Sequence, residues 1–182
     1  MRPSLIVVAA AFFWAAAAAG AASPVDPGEA GRTQNAQHLV IAEAETPLLC
    51  FPVQTGDRFT LSWVHSVEME DWQEVFEIEA DGSIEVVATR FKTFGAGVPA
   101  DAGQTTRLED GWVVMEGIDR DVDPLAILAT PRQKYRLSLA GRTLSLTPDG
   151  QPHLLTFRTT SDQPPANCPD ADPSSATAPL QR

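Results

Sequence analysis

The 182-residue chain predicts an all-β fold, a single antiparallel β-sandwich or small barrel, and three observations carry that prediction. From Phe59 onward apolar and polar residues alternate with period two, which sets successive side chains on opposite faces of a sheet. Runs of this kind recur at short intervals, separated by turn sequences such as Asp81-Gly82-Ser83, Asp110-Gly111 and Ala140-Gly141. Beyond the apolar N-terminus, no stretch of helical length repeats its apolar residues with a 3.6-residue period.

The strands follow in order. His38–Glu43 opens the domain. Phe59–Val67 comes next, with Phe59, Leu61, Trp63, His65 and Val67 on one face and Thr60, Ser62, Val64, Ser66 and Glu68 on the other. Glu74, Phe76 and Ile78 then alternate against Val75, Glu77 and Glu79, and Ile84–Phe91 returns after the Asp81-Gly82-Ser83 turn. Thr105–Glu109 and Trp112–Glu116 are joined by Asp110-Gly111. Leu125–Thr130, Gln133–Leu139 and Arg142–Thr147 follow, the last two joined by Ala140-Gly141, and His153–Arg158 closes the domain.

The ends have a different character. Arg2 precedes an apolar, alanine-rich run that finishes at Ala19-Gly20-Ala21-Ala22, the pattern of a secretory signal with small residues for the peptidase. Cleavage is expected after Ala21 or Ala22. A retained anchor is the competing reading, but alanine gains little from leaving water. The absence of a second apolar run argues against membrane insertion after cleavage. Residues 1–22 are therefore read as a signal peptide, 23–37 as a disordered linker, 38–160 as the β domain and 161–182 as a disordered Pro-rich tail. A bacterial periplasmic destination fits the signal. In such an oxidising compartment the two cysteines, Cys50 and Cys168, invite a disulfide that would tie the tail back onto the domain.

Charge narrows the function classes. Twenty-four Asp and Glu against thirteen Lys and Arg give a net charge of −11 with no basic run, which argues against nucleic acid as a partner. Only three histidines occur, His38, His65 and His153, without zinc-binding spacing, so neither a metal nor another cofactor is expected. Asp119-Arg120-Asp121-Val122-Asp123 imitates the start of a calcium loop, but Pro124 stands where that loop needs Gly, leaving an acidic turn as the reading. Adjacent strand residues face opposite ways, so His65 is badly placed to serve Ser66 as a base, and no nucleophile elbow is present. Trp63, Trp72 and Trp112 are read as core or rim residues, with Trp72 in a Glu68–Gln73 loop as a possible ligand contact.

One ordered set of motifs stands out: Trp63-Val64-His65-Ser66-Val67-Glu68, then Trp72, Glu74 and Phe76, then Phe94-Gly95-Ala96-Gly97-Val98-Pro99. It resembles the bacterial family catalogued as domain of unknown function 1850. The resemblance spans about Gly56 to Pro99. It implies a small exported protein often encoded beside tripartite ATP-independent periplasmic (TRAP) transporters of the TAXI subfamily, with no assigned reaction.

A polar cluster is expected within these motifs. If Val67 pairs with Glu74, His65 lies opposite Phe76 and diagonal to Glu74. A three-residue Asp81-Gly82-Ser83 loop then sets Glu74 opposite Arg90, whereas a two-residue turn sets Thr89 there. The first register predicts a His65–Glu74–Arg90 cluster in which an ionised Glu74 bridges two basic partners, beside a loop of Gly95, Ala96 and Gly97 that supplies a tight turn or an anion nest. The favoured functional reading is a periplasmic, non-enzymatic accessory or small-ligand-binding protein, with no catalytic residue assigned and with a TRAP component or a small ligand as its partner. A hydrolase or other enzyme using His65 and Glu74 as an acid–base pair is one alternative, and a purely structural β module is the other.

Overall fold

A computed structural model describes residues 37–95, 102–161 and 163–169. Eleven strands are found among them: β1 (Gln37–Glu43), β2 (Thr46–Val53), β3 (Arg58–Val64), β4 (Asp71–Ile78), β5 (Ile84–Phe91), β6 (Thr105–Glu109), β7 (Trp112–Asp121), β8 (Leu125–Ala129), β9 (Arg136–Leu139), β10 (Arg142–Ser145) and β11 (His153–Ser161). They build two antiparallel sheets, one ordered β2-β1-β11-β8 and the other β10-β9-β3-β4-β5-β7-β6, packed as a sandwich. The all-β antiparallel expectation stands, and of its two architectures the structure is the sandwich.

Alternation explains the core. Phe59 and Leu61 on β3, Phe76 and Ile78 on β4, Ile84 and Val86 on β5, and Leu137 and Leu139 on β9 turn inward to meet Leu39, Ile41, Leu155 and Phe157 of the smaller sheet. Phe59 stacks on Phe76 beside it and on Phe157 across the sandwich, at 4.9 and 5.9 Å between centroids. Where the hairpins were expected to turn, Asp110-Gly111 and Ala140-Gly141 adopt positive φ in succession, matching the twist of the strands they join.

One strand escapes the alternation. Thr46–Val53 carries Pro47 and Pro52, which cannot donate to a ladder, and it forms β2 at the edge of its sheet, where prolines are tolerated. Cys50 on this strand is bonded to Cys168, with 5.9 Å between Cα atoms. The C-terminal boundary also moves: Ser161 is the last residue of β11, and the described piece 163–169 is fastened to β2 through that disulfide. The proposed signal peptide, the linker up to residue 36, and the tail beyond residue 169 lie outside the described residues.

Candidate functional site

The predicted cluster is rearranged by two departures from regular strand pairing. The first is in the β3–β4 connection. Strand β3 ends at Val64 rather than Val67, and Met69, at φ 58°, helps turn the chain so that His65 N–H donates to the Glu70 carbonyl at 2.7 Å. The ladder therefore pairs Trp63 with Trp72, Leu61 with Glu74 and Phe59 with Phe76. Glu74 is opposite Leu61, not diagonal to His65, and Trp72 is a buried strand residue, not a loop residue.

The second departure is a β-bulge. Val75 pairs with Ala88 and Phe76 with Val86, which leaves Val87 unpaired against β4. One extra residue reverses the faces of everything after it. Ile84 and Val86 point inward before the bulge; Thr89 and Phe91 do so after it, and Arg90 turns outward. Thr89 takes the place opposite Glu74, and Arg90 pairs with Gln73, whose Oε1 accepts a hydrogen bond from its Nε at 2.7 Å. The His65–Glu74–Arg90 cluster is thus not assembled: the turn sets Ile78 opposite Ile84, matching neither the three-residue nor the two-residue loop, and the bulge alone brings Thr89 opposite Glu74.

In its place stands an aromatic row along the inner face of the larger sheet. Tyr135 stacks on Trp63 at 5.3 Å, Trp63 on Trp72 at 5.8 Å, Trp72 meets Phe91 at 5.1 Å, and Phe94 sets its edge on Phe91 at 5.2 Å. Trp72 is anchored by its indole N–H, which donates to Thr89 Oγ1 at 2.9 Å in the interior, while that hydroxyl donates to the Gln73 carbonyl at 3.2 Å. The His65 ring lies on Trp72, 5.1 Å between centroids, and its Nδ1 faces the Glu68 carboxylate. The partner of His65 is therefore the Glu of its own His-Ser-Val-Glu motif, supplied by the turn.

Glu68 joins two loops. A Cβ on Gly95 would collide with the Glu68 carboxyl group, so the glycine lets the segment after β5 close onto the β3–β4 turn. Thr93 Oγ1 donates to Glu70 in the same seam. Ala96 and Gly97, the rest of the expected loop, lie outside the described residues. Around this seam Val67, Met69 and Phe94 stand in solvent, exposed by 63%, 54% and 60%. Val67 and Phe94 lie within the motifs noted above, but nothing in the sequence marked them as exposed, because Val67 continues the alternation that the turn interrupts.

Glu74 is a half-buried carboxylate on β4. Burial pushes its pKa up, opposed by the positive charge of Arg120. Burial, with the Glu74 charge as a smaller cause, also raises the pKa of Tyr135. Neither group bridges two cations, as an ionised Glu74 was expected to do. His153, at the far end of β11, is held between Glu43 on Nδ1 at 3.1 Å and Asp149 on Nε2 at 2.9 Å. Among the described residues no cluster of three or more His, Cys, Asp or Glu is arranged to hold a metal ion, and no helix is long and apolar enough to cross a membrane.

Residues 59–146 match the family model described as Domain of unknown function (DUF1850). The match begins at Phe59 and takes in β3, the His65–Glu68 turn, β4, β5 and Gly95, so the seam just described lies inside it. No curated protein and no solved structure matches the chain.

Proposed function

We propose that this is an exported, non-enzymatic accessory protein that docks a partner through the rim of Val67, Met69 and Phe94 around the His65–Glu68 pair. The observation that carries the reading is this rim. Three large apolar side chains are displayed on two loops that the Thr93–Glu70 hydroxyl–carboxylate bond and the close approach of Gly95 to Glu68 hold together, while the His65–Glu68 contact braces the first loop from within. Apolar groups gathered on a braced loop pair favour contact with another surface, because leaving them in water is unfavourable. The aromatic row beneath the loops supplies a rigid base, so little ordering cost falls on association.

Export to the periplasm is supported by the signal-like N-terminus and by the Cys50–Cys168 disulfide, which belongs to an oxidising compartment. The partner proposed is a component of a TAXI-type TRAP transporter, following the family resemblance. The test is co-purification of that transporter from solubilised membranes with the tagged mature protein. Val67→Asp and Phe94→Asp should abolish capture while the circular dichroism of the domain is unchanged. Equal recovery with wild type and with both variants would reject the rim as the docking surface.

A further inference from the structure

The bulge that removes Arg90 from Glu74 delivers it to the opposite, solvent-facing side of the larger sheet, where a second constellation forms. Arg90 Cζ lies 4.9 Å and Lys92 Nζ 4.1 Å from the centroid of the same Trp112 indole. Gln73 fixes the guanidinium by accepting from its Nε at 2.7 Å, which leaves the two terminal amino groups of Arg90 for another acceptor. Two like charges are thereby held against one ring.

Their surroundings make this unusual. Acidic residues outnumber basic ones by 24 to 13, and two other arginines of this sheet are paired with carboxylates: Arg107 with Glu109 and Glu116, Arg58 with Glu77. Among the described residues no carboxylate comes within ion-pair distance of Arg90 or Lys92. Asp71 adjoins Trp72, the register partner of Phe91, and so stands next in line with Lys92 without pairing to it; Glu109, the register partner of Trp112, is engaged by Arg107.

We propose that Arg90, Lys92 and Trp112 form a binding site for a doubly charged oxyanion, a phosphate dianion in free or esterified form. The terminal N–H groups of an arginine match two oxygens of such a group at once, and the lysine adds a compact charge. A dianion neutralises both cations, whereas a lone carboxylate neutralises one. Asp71 and Glu109 border the site, so a broad acidic macromolecular surface would meet repulsion at its edges where a small anion would not. In an ester, the exposed part of the indole can carry the organic group.

The site is on the other face from the rim, and the experiment separates the two. The mature protein is titrated with inorganic phosphate at pH 8 and constant ionic strength set by chloride, reading tryptophan fluorescence and heat. Saturable one-to-one binding is expected, at least tenfold weaker in Arg90→Gln/Lys92→Gln and unchanged in Val67→Asp. Trp112→Phe should retain the heat and lose the optical change. Phenyl phosphate binding more tightly than inorganic phosphate would assign the site to an ester, and equal affinity to the free ion. Absence of saturation in wild type, or undiminished binding in the double variant, overturns the proposal. Should the double variant fail to fold, Lys92→Gln alone must weaken binding, and equal affinity there overturns it too.

Discussion

The two ends of the inner face of the larger sheet are built from the same strands and the same alternation, yet they are finished differently. At one end Phe59 is enclosed between Phe76 and Phe157, and Ile78, Ile84 and Val86 close around it, each no more than 1% exposed. At the other end the rings run outward from Trp72, which carries the His65 ring, through Phe91 to a largely exposed Phe94. The Phe59 end has no polar group to satisfy and owes its stability to packing. The Trp63 end spends buried hydrogen bonds on holding the Trp72 indole in a fixed position. The contrast indicates that the first is the foundation of the fold and the second the part shaped for contact.

That division can be broken by substitution. The largest effect is expected at the enclosed end: Phe157→Ala should cost about 3–5 kcal/mol in urea unfolding, since it leaves a cavity against Phe59. A loss below about 1 kcal/mol would show that this end is not the foundation. Next comes the cross-link. Cys50→Ser with Cys168→Ser opens a closure of 118 residues and should lower stability by about 2–4 kcal/mol in oxidising buffer, and reducing the disulfide of wild type should lower its stability to that of the variant.

The pH dependence of stability should have two origins, one at His153 on the smaller sheet and one at Glu74 on the larger. The His153 pKa is raised, mainly by its hydrogen bond to Asp149 and further by Glu43, against the opposing effect of burial. A raised histidine contributes stability that is complete below its unfolded value of about 6.5 and fades as pH rises through the folded value. Asp149 is lowered by the same contact, so its contribution is present above about 3.8 and fades as pH falls through its folded value. Stability from this pair should therefore peak in mildly acid solution, and His153→Gln should flatten the decline above pH 6.5 when melting temperature is followed against pH.

Glu74 behaves in the opposite sense to a bridging carboxylate. Its raised pKa means that the folded state favours the proton, so its contribution is most favourable below the unfolded value of about 4.5 and is lost as pH rises through the folded value. Glu74→Gln should consequently be no less stable than wild type at pH 7.5, and the two should converge near pH 4. A loss of about 2–4 kcal/mol at neutral pH would instead restore an ion-bridging role for Glu74. The smallest stability change, within about 0.5 kcal/mol, is expected for Phe94→Asp, an exposed position whose effect should be confined to partner capture.

Much of the fold was legible in the sequence because alternation reports which face a residue occupies. Phe59, Leu61, Trp63, Phe76 and Ile78 were all placed on one face, and all of them share it. The Asp110-Gly111 turn was visible because that dipeptide accepts two positive φ values in succession, while at Ala140-Gly141 only the glycine pointed to a turn. Alternation is blind to the rest. Pairing Trp63 with Trp72 instead of Val67 with Glu74 slides the strands by an even number of residues, which leaves every face unchanged and therefore no trace in the pattern. The Val87 bulge leaves none either, for Ile84 to Phe91 is apolar enough on both sides to read as an unbroken strand; only packing against β4 and β7 decides that Thr89 goes in and Arg90 goes out. Strand β2 was hidden by its prolines, and the His153 contact to Glu43 by a separation of 110 residues. The sequence by itself determined the fold class, the faces and the turns, all of which follow from each residue's own conformational and solvation preferences. Register, the bulge, the His65–Glu68 pair and the placing of Arg90 beside Lys92 were decided by tertiary structure, because each depends on which distant strand a residue meets.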